Sequence, residues 1–193
     1  MPRLYFVRHA RPSANWGEEP DAGLDATGLE QAEAAAQTLA RTLQPMPIYT
    51  SPLRRCRETA RPLEQLWQQT AQVLEAVAEI PSPPVHLRER FRWLKQAMEG
   101  TWQELRDSAP PNSPDYLGWR ETLLSSLATM AHDSVIFSHY IAINVVVGAA
   151  QSRDEVVCFR PDHTSITSIE VAAQSVKVVE LGRERDTTIL TRG

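Results

Sequence analysis

Two of the five histidines, His9 and His139, each follow directly on a short apolar run. These runs are Leu4-Tyr5-Phe6-Val7 with Arg8, and Val135-Ile136-Phe137 with Ser138. In an α/β sheet, the carboxyl end of a buried strand is where substrates bind. One histidine there reads as an ordinary loop residue; two at equivalent positions point toward a site. Arginines indicate its chemistry. Arg8 adjoins His9, and Arg54, Arg55 and Arg57 cluster just after a third β-prone run, Ile48-Tyr49-Thr50. Guanidinium groups beside the free amides of a helix N-terminus make an anion pocket, and they grip phosphate in bidentate fashion. The same cations repel a metal ion. Although two histidines and a carboxylate can hold zinc, no HExxH or comparable spacing occurs, so no metal and no cofactor are expected.

The elements that must position these residues can be read from periodicity. Residues 4–7 and 134–138 read as strands buried on both faces. Residues 27–43 place Leu29, Ala32, Ala36, Leu39 and Leu43 at helical spacing, with Thr27 and Glu30 as a capping box and Pro45 and Pro47 as the stop. A second helix is expected over about 52–69, with Pro52 in its first turn. The stretch 73–80 reads as ending in a strand, closed by Pro81, Pro83 and Pro84. Residues 81–115 hold six of the fourteen prolines and the aromatics Phe91, Trp93 and Trp102. They read as a helical, lid-like insertion within a single domain over 1–193, too small to fold alone. Helices are expected over about 113–131 and 139–150, and a closing hairpin over 164–171 and 175–181. Alternating strands and helices predict an α/β fold: a three-layer α/β/α sandwich with a mostly parallel central sheet.

Composition excludes several classes. The 193 residues are 42% hydrophobic and 23% charged, as in an ordinary globular protein. A net charge of −4 argues against a nucleic-acid partner. No apolar run approaches the length of a membrane span, and the apolar stretch near the start is too short for a signal peptide. Cys56 and Cys158, far apart, make neither a disulfide framework nor a metal motif. A cytoplasmic protein is expected. Nothing in the sequence sets the oligomeric state.

Four segments together resemble one family. They are Val7-Arg8-His9-Ala10 with Asn15; Leu24-Asp25-Ala26-Thr27-Gly28 followed by Gln31-Ala32; Thr50-Ser51-Pro52-Leu53-Arg54-Arg55 with Glu58-Thr59-Ala60; and Phe137-Ser138-His139. Their order and spacing are similar to those of the histidine phosphatase superfamily, also called phosphoglycerate mutase-like, over most of the chain. The resemblance implies a metal-independent phosphomonoester hydrolase acting on a small phosphorylated metabolite through a phosphohistidine. His9 would be the nucleophile, an imidazole being nucleophilic near neutral pH. Arg8, Arg55 and a cationic His139 would clamp the phosphoryl oxygens, and Asn15 and Ser51 match positions lining the phosphate pocket. Arg54 and Arg57 read as surface residues.

The resemblance also implies a glutamate as general acid, and two candidates exist. Glu79 ends a plausible strand. Glu89 matches the local Leu-x-Glu motif, but Arg88, Arg90 and Arg92 would lower its pKa, which suits a proton donor badly. Glu79 is preferred. Departures from the family pattern are Ala10 for glycine, Arg11 for glutamate and Pro12 for threonine. Added bulk at Ala10 is expected to crowd the phosphate, and Arg11 to favour more anionic substrates. His86, His132 and His163 have no evident partner; His163, just before a strand, could approach the pocket, but a loop histidine is the preferred reading. The patch from His86 to Lys95, with Arg88, Arg90, Arg92 and Lys95, reads as a solvated helix face; with Trp93 and Trp102 it is the candidate for a lid that reads the rest of the substrate. A phosphoglycerate mutase-type phosphotransferase and a non-catalytic phosphate-ligand or phosphoprotein binding module remain as rival functions. For the mutase, the chain is short and its 81–115 region unlike theirs.

Overall fold

The computed structural model describes residues 1–15, 18–172 and 175–184. In chain order the elements are β1 (Arg3–Arg8), α1 (Ala26–Thr42), β2 (Ile48–Thr50), α2 (Arg54–Trp67), β3 (Gln72–Val73), a 3-10 turn (Glu75–Val77), α3 (Leu87–Glu99), α4 (Trp102–Asp107), α5 (Tyr116–Ala128), β4 (Ser134–Ser138), α6 (Tyr140–Gln151), β5 (Ile166–Ala172) and β6 (Ser175–Glu180). The strands form one sheet in the order β3-β2-β4-β1-β5-β6. β3, β2, β4 and β1 run parallel, while β5 and β6 close the sheet as an antiparallel hairpin.

Alternation along the central strands divides the core. Leu4, Phe6 and Ile136 face a cluster built with Leu123, Leu127 of α5 and Ile141, Val145 of α6. Val7, Val135 and Phe137 face the opposite side, against Ala36 and Leu39 of α1 and Ala60 and Leu63 of α2. A period of two puts successive side chains on opposite faces of a sheet. Buried apolar residues on both faces of β1 and β4 therefore require a helical layer on each face. That is the expected three-layer α/β/α sandwich.

Three local expectations are corrected. Helix α1 is capped by Asp25, whose Oδ1 accepts from the Gly28 amide at 2.7 Å, instead of by Thr27 with Glu30. The carboxylate one turn before the amide satisfies it directly. Leu29 is exposed, and Gly28, Ala32, Ala35, Ala36 and Leu39 face inward. Gly28 is required: a Cβ there would collide with the Arg11 carbonyl oxygen, because α1 starts against the loop that follows β1. The run 73–80 does not end in a strand. β3 stops at Val73, having only Thr50, the last residue of β2, to pair with. The chain then turns through Glu75–Val77 to bury Val77 and Ile80.

The 81–115 region does carry helices, α3 and α4. Its tryptophans are not the reading surface expected of a lid. Trp102 is buried, with Arg120 over its ring at 4.9 Å, and Trp93 stacks on Tyr116 at 5.7 Å. No helix among the described residues is long and apolar enough to cross a membrane.

Candidate active site

The carboxyl ends of the parallel strands bring the distant segments together. β1 pairs with β4 in a register that sets Arg8 opposite Ser138. The next residues, His9 and His139, therefore emerge side by side, and their ring centroids lie 5.2 Å apart. β2 flanks β4 on its other side and delivers Ser51 and then α2 with Arg55. All six side chains are buried, with Arg8, His9 and Arg55 only 6–7% exposed.

The backbone sets the protonation of His9. Its Nδ1 lies 2.8 Å from the Ala10 carbonyl oxygen. A carbonyl can only accept, so Nδ1 carries the proton and Nε2 keeps its lone pair. Burial, followed by the charge of Arg55, holds the His9 pKa well below its ordinary value. The neutral imidazole is thus the resting form. The loop bearing it is fastened to α2, since the Ala10 amide donates to Thr59 Oγ1 at 3.0 Å, and Thr59 donates in turn to the Arg55 carbonyl at 2.6 Å. Glu58 accepts from the Leu24 amide and from Arg54 Nε, both at 2.7 Å. Glu58 and Thr59, seen in the sequence as motif residues, are the clamps that hold the His9 loop and the α1 approach against α2.

His139 is fully buried, one layer behind the cavity wall. Its Nε2 lies 2.7 Å from Ser51 Oγ and 3.3 Å from Cys56 Sγ. The cationic state implied by the resemblance is not the resting state: burial, then Arg55 and Arg8, hold its pKa well below the ordinary value. Ser51 has no exposed surface. Its hydroxyl engages His139 and accepts from the Leu53 amide at 3.2 Å, so it touches the histidine and does not line the cavity. Burial also pushes the Cys56 thiol far up.

Arg8 donates from Nη1 to the Pro161 carbonyl at 2.9 Å and lies over the Tyr140 ring at 4.9 Å. Burial lowers its pKa to about 10, so it remains a cation at neutral pH. Arg55 forms no ion pair among the described residues. Both guanidinium groups line the same cavity as His9.

Glu79 lies in that cavity too. Its Oε1 accepts from the amides of Ile80 at 3.0 Å and Ile141 at 3.2 Å, the latter in the first turn of α6. Burial raises its pKa, outweighing these bonds and the nearby Arg55 and Arg8. Glu89 lies elsewhere. It is exposed, and its carboxylate accepts from the His86 amide at 3.2 Å as the cap of α3. Asn15 lines the cavity in an exposed position, with Nδ2 donating to Glu18 Oε1 at 3.2 Å. Arg11 also lines it, with Nε paired to Asp25 Oδ2 at 2.6 Å. That pairing spends much of the extra positive charge the sequence seemed to add.

His163, for which a loop role was preferred over an approach to the pocket, does line the cavity, with its ring 5.7 Å from that of His9. Burial lowers its pKa to about 3. Its place just before a closing strand antiparallel to β1 was the signal, since that strand begins at the edge where β1 ends. The Thr164 amide donates to the Arg8 carbonyl at 3.0 Å. Tyr140, which the sequence did not single out, follows His139 directly. Its hydroxyl is pushed up to about 12 by burial.

The cavity measures about 730 Å³. Cations and neutral imidazoles form its base, a carboxyl group flanks them, and α3 forms a wall. Among the described residues, no group of three or more His, Cys, Asp or Glu is arranged to hold a metal. The chain belongs to the histidine phosphatase superfamily (branch 1), whose model matches residues 4–184, and its enzyme class is accordingly that of a histidine phosphatase. Solved structures share the fold. A phosphoserine phosphatase from Entamoeba histolytica, in complex with 3-phosphoglyceric acid, is 20% identical with a TM-score of 0.73, over 96% of this chain and 98% of that one. The alpha-ribazole phosphatase from Shigella flexneri is 18% identical with a TM-score of 0.72, over 94% and 96%. No curated protein matches the chain.

Proposed function

We propose that this protein is a metal-independent phosphomonoester hydrolase that works through a phosphohistidine at His9 on a small phosphorylated metabolite. One observation carries the reading. The Nδ1–H of His9 is tied to the Ala10 carbonyl, leaving Nε2 as a nucleophile in a cavity shared with Arg8, Arg55 and Glu79. Arg8 and Arg55 grip the phosphoryl oxygens and stabilise the charge that develops on them. Nε2 attacks phosphorus, the P–O ester bond breaks, and the Glu79 carboxyl gives its proton to the leaving oxygen. Glu79, now ionised, takes a proton from water as the water oxygen attacks the phosphohistidine. Inorganic phosphate leaves, and both residues regain their starting state.

The raised pKa of Glu79 suits the first half of this cycle, and its anchoring at the start of α6 suits the second. His139 stands one layer behind the phosphate site as a neutral ring, and an incoming anion favours its protonation. Ser51 orients His139; Asn15 contributes from the rim. The whole chain acts as a single domain, with 81–115 as its lid. No cofactor or metal is needed.

The test is phosphate release from p-nitrophenyl phosphate in EDTA, with the phosphoenzyme trapped by rapid denaturation. The native protein turns over and carries phosphate on His9. His9→Ala loses both together. Normal turnover by His9→Ala would falsify the nucleophile assignment.

A further inference from the structure

The cavity is far larger than a phosphate group needs and falls within the range that takes drug-sized ligands. Its upper wall is α3. Residues Leu87, Phe91, Leu94 and Met98 recur every three or four positions, so they share one helical face. All four line the cavity, with Ile80 and Ile141 also in the lining. Leu94 and Met98 are partly committed to the core beneath. Leu87 and Phe91 belong to neither core cluster, yet both are half-buried. A large aromatic side chain that supports no core and faces an open cavity is surface held ready for something apolar. Of the charged residues that the sequence suggested on this helix, Arg88 and Arg92 lie outside the cavity, while Arg90 and Lys95 line it beside the apolar face.

We propose that the substrate is a phosphomonoester with an apolar body at least the size of one aromatic ring. The phosphate binds at Arg8 and Arg55 while the body lies against Phe91 and its neighbours on α3. This rests on the phosphatase reading above and narrows it. Compact, fully polar phosphate esters would leave the α3 face wet and gain nothing from it.

Binding of non-hydrolysable phosphonates separates the two readings, because it needs no turnover. Titration calorimetry of the native protein compares 2-phenylethylphosphonate with ethylphosphonate. The charged ends are the same, so only the body differs. The phenyl compound is expected to bind about tenfold or more tightly. In Phe91→Ala the preference falls to about threefold or less, with ethylphosphonate affinity within about twofold of native. Retained ethylphosphonate binding also reports that the variant is folded. Should Phe91→Ala fail to fold, the milder Phe91→Leu serves, with a smaller drop in the same ratio. Equal affinities in the native protein, or a preference untouched by the Phe91 changes, would overturn the proposal. Failure of the phosphatase reading shows itself separately, as phosphonate binding without release of phosphate from any ester.

Discussion

Glu79 and Glu89 illustrate how environment sorts chemically identical side chains. Glu79 is sunk beside the guanidinium groups of Arg8 and Arg55, and burial wins over these and the two amides that pull its pKa down. Glu89 is exposed and occupied as a helix cap. A carboxyl group whose pKa is raised by burial holds its proton more firmly and is the better placed donor; one bonded at the surface has no substrate to serve. Glu79→Gln is expected to slow hydrolysis of alkyl phosphates by about a hundredfold or more, and that of p-nitrophenyl phosphate much less. The nitrophenolate leaves without help, whereas an alkoxide needs a proton. Steady-state rates on both substrates check this. If Glu89→Gln shows that selectivity and Glu79→Gln does not, the acid has been assigned to the wrong residue.

Among the elements, the junction of β1, α1 and α2 determines where His9 sits. Thr59 and Glu58 on α2 hold the His9 loop and the start of α1, and Gly28 lets α1 come up against the Arg11 carbonyl. A methyl group at position 28 has nowhere to go but into that backbone. Gly28→Ala is therefore expected to destabilise the protein by about 1–3 kcal/mol, the usual cost of overpacking. It should also weaken phosphate binding, because the displaced loop carries His9. Thermal unfolding with and without inorganic phosphate measures both effects. An unchanged midpoint would show that α1 can slide away freely.

For the whole molecule, the buried histidines link stability to pH. His9, His139 and His163 all have pKa values depressed in the folded state, with His163 at about 3. Between the unfolded value of about 6.5 and those lower values, the unfolded chain binds protons that the folded one refuses. Stability is therefore full above about pH 6.5 and falls as the pH drops, each histidine adding up to about 1.4 kcal/mol per pH unit. Glu79, with its raised pKa, acts in the opposite sense above its unfolded value. One carboxyl group does not cancel three imidazoles. Denaturant midpoints taken from pH 7 down to pH 5 should decline steadily in phosphate-free buffer; a flat profile would mean these rings take up protons in the folded protein.

Residue type and local order were enough to identify the histidines at strand ends, the arginines beside them and the layered α/β plan. Strand burial, helix periodicity and the chemistry of imidazole and guanidinium are all short-range properties. The chain could not reveal by itself that Ser51 would face His139 instead of the cavity, that His163 would enter the site or that Phe91 would line its wall. Nor could it show that His139 rests neutral. Those outcomes depend on which strands become neighbours, which side chains a helix turns outward and how much water the packed layers exclude, and contacts between residues far apart in the sequence decide all three.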